Sequence, residues 1–219
     1  MKRLMLAATT VVALLFLLTL SASHASAATL TFELTSDHCG GTGGCIPVDG
    51  ASAGTVTITD GIAGVVNVGV ALKTGYQFIN SGFEASFGFN LSGDPSITYS
   101  NIVTAANFTI PGGNPQSKQS LHMDGTGFFE YGLDGIGSGG SDPLGSSLTF
   151  TITAAGLSTG SFEKNSDLQY FAADVIGPNG NTGGVDASVP TTVPDGGMTI
   201  MLMGGALLGL ETLRRRYRV

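Results

Sequence analysis

The chain has 219 residues and a formal net charge of −7. Within residues 28–192 only Lys73, Lys118 and Lys164 oppose fourteen carboxylates, so that stretch carries −11. With no basic patch to neutralise phosphates, it excludes nucleic acid and anionic lipid as partners, while divalent cations and neutral sugars remain compatible.

The first 27 residues read as a secretory signal peptide. Met1-Lys2-Arg3 is basic, residues 4–20 are apolar, and Ala25-Ser26-Ala27 supplies an A-x-A cleavage site. A cut before Ala28 leaves residues 28–192 ahead of the tail, enough for one domain with a single core.

Strand signals follow in chain order. Leu30, Phe32 and Leu34 alternate with Thr31, Glu33 and Thr35. Cys39 and Cys45 then bracket a glycine-rich loop. Outside the cytoplasm a pair this close is expected to form a disulfide, and so small a loop limits its chain-entropy gain to ~2 kcal/mol. The spacing is not C-x-x-C, and a metal site on His38, Cys39 and Cys45 lacks an evident fourth ligand. Val56 and Ile58 alternate with threonines, and Val66, Val68, Val70 and Leu72 form a longer run. Phe87, Phe89 and Leu91 come next, then Phe129, Tyr131 and Leu133, then Leu148, Phe150 and Ile152 against threonines. Residues 170–176 are more continuously apolar, as in a central strand. Glycine, asparagine, aspartate and proline clusters separate the runs, and no stretch of the body keeps a helical period.

The expected fold class is therefore all-β: an antiparallel β-sandwich, jelly-roll-like, of about eight to ten strands. The expected organisation is a signal peptide at 1–27, the sandwich at 28–186, a linker at 187–192 carrying Pro190, and a tail at 193–219.

Several patterns resemble catalytic or ligand motifs. Gly135-Ile136-Gly137-Ser138-Gly139-Gly140 fits G-x-G-x-x-G, but Ser141-Asp142-Pro143 is a poor start for the helix a dinucleotide needs. Gly156-Leu157-Ser158-Thr159-Gly160 fits G-x-S-x-G, yet no histidine follows His122, so the Ser–Asp–His order of that elbow cannot close. A strand turn explains each more simply. His122 and Asp124 are too few for a metal. Glu130 and Asp134 have the chemistry of a glycosidase pair without context to single them out among fourteen acids. Asp134 and Asp142 flank a glycine loop but make no EF-hand pattern. Phe83, Phe87, Phe89, Phe128, Phe129 and Tyr131 include enough rings for a sugar-stacking strip, although most are expected in the core. No catalytic residue, metal or cofactor is expected.

The tail has three parts: Val193-Pro194-Asp195-Gly196-Gly197, an apolar run over 198–210, and the basic cluster Arg214, Arg215, Arg216 and Arg218. A helix over 198–213 spans ~24 Å against a hydrocarbon core of ~30 Å. It also contains three glycines and Glu211. Such a segment suits a temporary hold before processing, with the arginines cytoplasmic and the body outside. The tail resembles the PEP-CTERM sorting signal of bacterial exported proteins, in a Val-Pro-Asp-Gly-Gly variant with Asp195 where the commonest form has glutamate. That resemblance implies a membrane-embedded exosortase that cleaves near the motif. It further implies transient residence in the inner membrane, then release or attachment at the cell surface beside exopolysaccharide. Leu30–Cys39, Gly54–Asp60 and the pieces Phe-Ala-Ala-Asp-Val-Ile-Gly and Asn-Gly-Asn-Thr-Gly within 171–183 are similar to a recurring type of such exported protein. This second resemblance implies location and fold, with no catalytic residues.

The function expected from the sequence is a non-enzymatic, exported cell-surface or matrix protein. A polysaccharide- or surface-ligand-binding module is the alternative, and a small secreted hydrolase the third reading.

Overall fold

The computed structural model describes residues 27–37, 52–104, 107–123, 125–137 and 139–191. They form an all-β molecule built from antiparallel sheets. The first sheet has the order β16-β1-β3-β4-β12-β7. Its strands are β1 (Thr29–Leu34), β3 (Gly54–Asp60), β4 (Val65–Leu72), β7 (Thr98–Thr104), β12 (Ser147–Thr153) and β16 (Pro190–Thr191). The second runs from β2 (Ser36–Asp37) through β15 (Thr182–Ala187), β14 (Phe171–Ile176), β6 (Phe87–Leu91) and β11 (Tyr131–Gly135) to β8 (Phe108–Thr109). There β5 (Gln77–Phe78) also pairs with β14, and β13 (Phe162–Glu163) with β6. A separate hairpin joins β9 (Leu121–Met123) to β10 (Gly127–Phe129).

The first sheet follows its period-two pattern. Val56 and Ile58 on β3, Val66, Val68 and Val70 on β4, and Leu148, Phe150 and Ile152 on β12 are buried, and the residues between them face away from the core. The β3–β4 turn closes at Gly64, whose φ is +81°. A Cβ there would lie 2.6 Å from the Ala154 carbonyl oxygen, so only glycine fits.

Both sheets contribute to one hydrophobic core. Phe32 of the first meets Phe171 of the second edge-on at 4.8 Å, and Phe150 reaches Phe87 at 6.0 Å and Phe89 at 6.1 Å. Such ring pairs add ~0.5–1.5 kcal/mol each beyond the area they bury.

The second sheet is different because its outer face is covered as well. All five residues of β6 and the first five of β14 are buried. The β9–β10 hairpin lies over them, and Leu121, Met123 and Phe129 pack with Ala85 and Ala172 as a smaller cluster. Gly88 makes this close approach possible: a Cβ there would sit 2.7 Å from Met123 Sδ and 2.9 Å from Phe129 Cγ.

Three expectations are corrected. The run Phe129–Tyr131–Leu133 is not one strand. Phe129 ends β10 in the small cluster, the chain crosses at Glu130, and Tyr131 opens β11 in the main core. The segment 187–192 is not simply a linker, since Ala187 closes β15 and Pro190–Thr191 pairs with Phe32 and Thr31 of β1. Strand signals also missed β7 and β15 altogether.

Gln116, wholly buried, acts as a surrogate strand beside β11. Its Oε1 accepts from the Tyr99 hydroxyl at 2.6 Å and from the Gly132 N–H at 3.2 Å, while Nε2 donates to the Pro111 oxygen at 2.7 Å. Burial pushes the Tyr99 hydroxyl well above the usual phenol range.

Candidate functional site

Register places the outward residues of the first sheet in rows. One row is Thr31, Thr57, Gly69, Thr149 and Val103; the next is Thr29, Thr59, Asn67, Thr151 and Ser100. Neighbours within a row are ~4.8 Å apart and successive rows ~6.8 Å apart, the strand and two-residue spacings of a β-sheet. Hydroxyls and amides therefore form a regular grid. Between the rows lies an open trough of about 500 Å³ lined by Thr57, Thr59, Asn67, Val68, Gly69, Asn101, Val103, Thr149, Phe150 and Thr151.

The trough has an oriented polar edge. Asn101 Nδ2 donates to Thr151 Oγ1 at 3.5 Å, and Thr151 Oγ1 donates to Asn67 Oδ1 at 2.9 Å. Asn101 adopts φ +51° where the pairing of β7 with β12 shifts register. A bulge of this kind re-aims a side chain, and asparagine is one of the few residues that tolerates the left-handed region. Val103, 65% exposed, gives the trough an apolar lip.

The outer face of the second sheet holds a carboxylate pair. Asp174 on β14 is fully buried and accepts from the Ser81 N–H at 2.7 Å and the Ser81 hydroxyl at 2.8 Å. Burial pushes its carboxyl up to about 7 against the pull of those hydrogen bonds, and nearby Asp134 adds to the rise. Asp134 on β11 accepts from Asn80 Nδ2 at 3.2 Å and is likewise raised, chiefly by burial, while Ser86 and Gly135 hold it down. The same Asn80 amide reaches the Gly135 oxygen at 2.8 Å. The pair clamps the 79–82 segment onto β14 and β11 and leaves Asp174 no solvent-exposed surface.

The sequence patterns take structural jobs. Gly135 ends β11, and a short 3-10 turn at Gly139–Ser141 follows in place of the helix a dinucleotide needs; Ser138 lies outside the described residues. Ser158 precedes the 3-10 turn Thr159–Ser161, its N–H donating to Ser161 Oγ at 3.1 Å. Thr159 is fixed to Asp60 by its N–H at 2.6 Å and its hydroxyl at 3.2 Å. The His122 ring packs on Phe128 at 4.9 Å, and its backbone N–H donates to Glu84 Oε2; Asp124 lies outside the described residues. Glu130 pairs with Lys118, which also holds Asp94 at 2.9 Å, so Glu130 and Asp134 have separate partners. Asp142 closes a turn through its N–H to the Gly139 oxygen at 3.1 Å. Among the described residues no three His, Cys, Asp or Glu side chains are grouped to hold a metal. Of the six aromatics considered as a stacking strip, Phe87, Phe89, Phe129 and Tyr131 are fully buried, and Phe128 alone is more than half exposed.

The residues expected to form a sorting motif, Val193, Pro194, Asp195, Gly196 and Gly197, the cluster Arg214, Arg215, Arg216 and Arg218, the expected signal peptide at 1–27 (apart from Ala27), and Cys39 with Cys45 lie outside the described residues. Among the described residues no helix is long and apolar enough to cross a membrane. Comparison of the chain with protein-family models, curated proteins and solved structures returns no match.

Proposed function

We propose that this is an exported, non-enzymatic, sandwich-like protein of the cell surface or its matrix, directed there by its signal peptide and its C-terminal sorting tail. The partners in this reading are an exosortase-type processing enzyme and, transiently, the inner membrane. The observation that carries it is the closeness of fold and tail. β16 pairs with β1 through Thr191, and Val193 of the motif comes two residues later. The described body is thus closed just ahead of the processing motif, and a proline at position 194 is a residue type that disfavours helix. Two further features favour a structural role: the serine and the carboxylates that resemble catalytic motifs serve as turn and clamp residues, and the aromatic rings go mostly to the core.

Mass spectrometry of the protein from its native cell tests the proposal. The expected C-terminus falls within 194–197, with no peptide from 214–219, and Pro194→Ala with Asp195→Ala makes the uncleaved form accumulate in the membrane. A native protein that retains Val219 overturns the sorting role.

A further inference from the structure

We propose that the trough on the outer face of the first sheet binds a neutral, hydroxyl-rich polymer, an uncharged polysaccharide chain laid across β3, β4, β12 and β7. The inference goes beyond the sorted structural body and does not depend on the tail.

Charge selects this class of partner. The trough lining contains no ionisable side chain, although residues 28–192 carry −11 overall. The surrounding field repels an anionic polymer. A cationic polymer finds no carboxylate in the trough to pair with. A neutral chain of hydroxyl groups meets donors and acceptors of its own kind. Among the described residues the hydroxyls of Thr57 and Thr149 and the amide nitrogen of Asn67 have no hydrogen-bond partner. The Val103 lip offers apolar surface for the C–H face of a sugar ring.

Gly69 is the second, independent observation. It sits mid-strand, between Thr57 and Thr149 in its row, where β-branched residues are favoured. Its φ is not in the left-handed region, and a Cβ there would touch only Thr149 Cγ2, at 3.9 Å. Neither backbone geometry nor packing requires a glycine at this place. A strand glycine that makes no bulge or bend is commonly a place where a ligand or another backbone approaches closely. Its missing side chain deepens the floor of the trough.

Asn101 is the third. Its left-handed backbone serves no core contact, since the residue is exposed. It aims the amide at Thr151 and so sets the donor direction of the Asn101–Thr151–Asn67 chain.

Affinity gel electrophoresis of the full chain tests the proposal. The probes are three soluble neutral polymers, a β-glucan, a dextran and a galactomannan, with a polyuronate and chitosan as charged counterparts. The wild-type protein is expected to be retarded by at least one neutral polymer and not by the polyuronate. Gly69→Val is expected to raise the dissociation constant at least tenfold while the thermal midpoint stays level or rises. Asn101→Gly, which keeps the backbone conformation and removes the amide, is expected to raise it several-fold. Absence of retardation by all three neutral polymers overturns the proposal. So does retardation that Gly69→Val leaves unchanged, or preference for a charged polymer. Sedimentation of the same variants supplies a further overturning result: a wild-type dimer that Gly69→Val dissociates would make the face a contact between copies of the chain.

Discussion

The two sheets of this protein share a core but differ in what lies behind them. The first has a bare outer face of threonine, asparagine and glycine, and its strands alternate between buried and outward residues. The second is covered on both faces, by the core within and by the β9–β10 hairpin without, and its central strands are buried throughout. The same pleat thus gives two chemistries. On the bare face side-chain identity is free to serve a partner, while on the covered face it is dictated by packing, down to the hydrogen atom that Gly88 presents to Met123.

The largest contrast is in the cost of truncation. Phe89→Ala on β6 removes a fully buried ring that packs with Tyr99, Tyr131, Phe150 and Phe162. It is expected to cost ~3–5 kcal/mol by urea denaturation. Thr149→Ala on the bare face is expected to stay within about 0.5 kcal/mol. Equal costs would mean that the bare face is covered in solution.

A second contrast is pH. Raised carboxyls sit on the covered sheet, at Asp174 and Asp134. Folded Asp174 keeps its proton to about 7, whereas an unfolded aspartate releases it near ~3.9. The folded state therefore binds the extra proton across that window. Its stabilising share is complete below about 4 and is lost as pH rises through about 7, on the order of 3–4 kcal/mol for a shift of this size. Denaturation series at pH 5 and pH 8 should show Asp174→Asn losing less stability than the wild type over that interval. Parallel slopes for the two proteins would exclude Asp174 as the titrating group.

The smallest effect is the most discriminating, because one substitution is made in both sheets. Gly88→Val pushes a side chain into Met123 and Phe129 and is expected to destabilise by ~1–3 kcal/mol. Gly69→Val meets only an ordinary contact with Thr149 Cγ2 and is expected to stabilise by roughly 0.5–1 kcal/mol. Equal signs in a thermal melt would erase the distinction between the faces.

The same difference decides how much of the molecule was legible in its sequence. The alternation of β1, β3, β4 and β12 was plain because one face of each meets the core and the other faces outward. β7 was missed because the register shift at Asn101 breaks its period. β15, with Gly183, Gly184 and the buried Asp186, has too few apolar residues to signal a strand. Phe129 and Tyr131 looked like one face of one strand, and only the fold of the hairpin over β6 shows that they belong to different clusters. The trough was invisible for another reason. Thr57, Gly69 and Thr149 share a row only through pairing of β3 with β4 and of β4 with β12, the latter across some eighty residues of chain. Before that register is known, Gly69 is one outward residue in a valine run, and the threonines are only the polar half of a strand.

The pairing of β16 with β1 has a mechanical consequence. β16 is a two-residue edge strand, and its Thr191 lies opposite Thr31, with the chain heading toward the beginning of β1. Tension on the tail is met first by this short rung, whose few backbone bonds break in succession like a zipper. The load reaches β15, and the aromatic core behind it, only after β16 has peeled away. Pro190 and Thr191 thus work as a fuse: a pull on the chain beyond Thr191 releases a short length of it and spares the rest of the body.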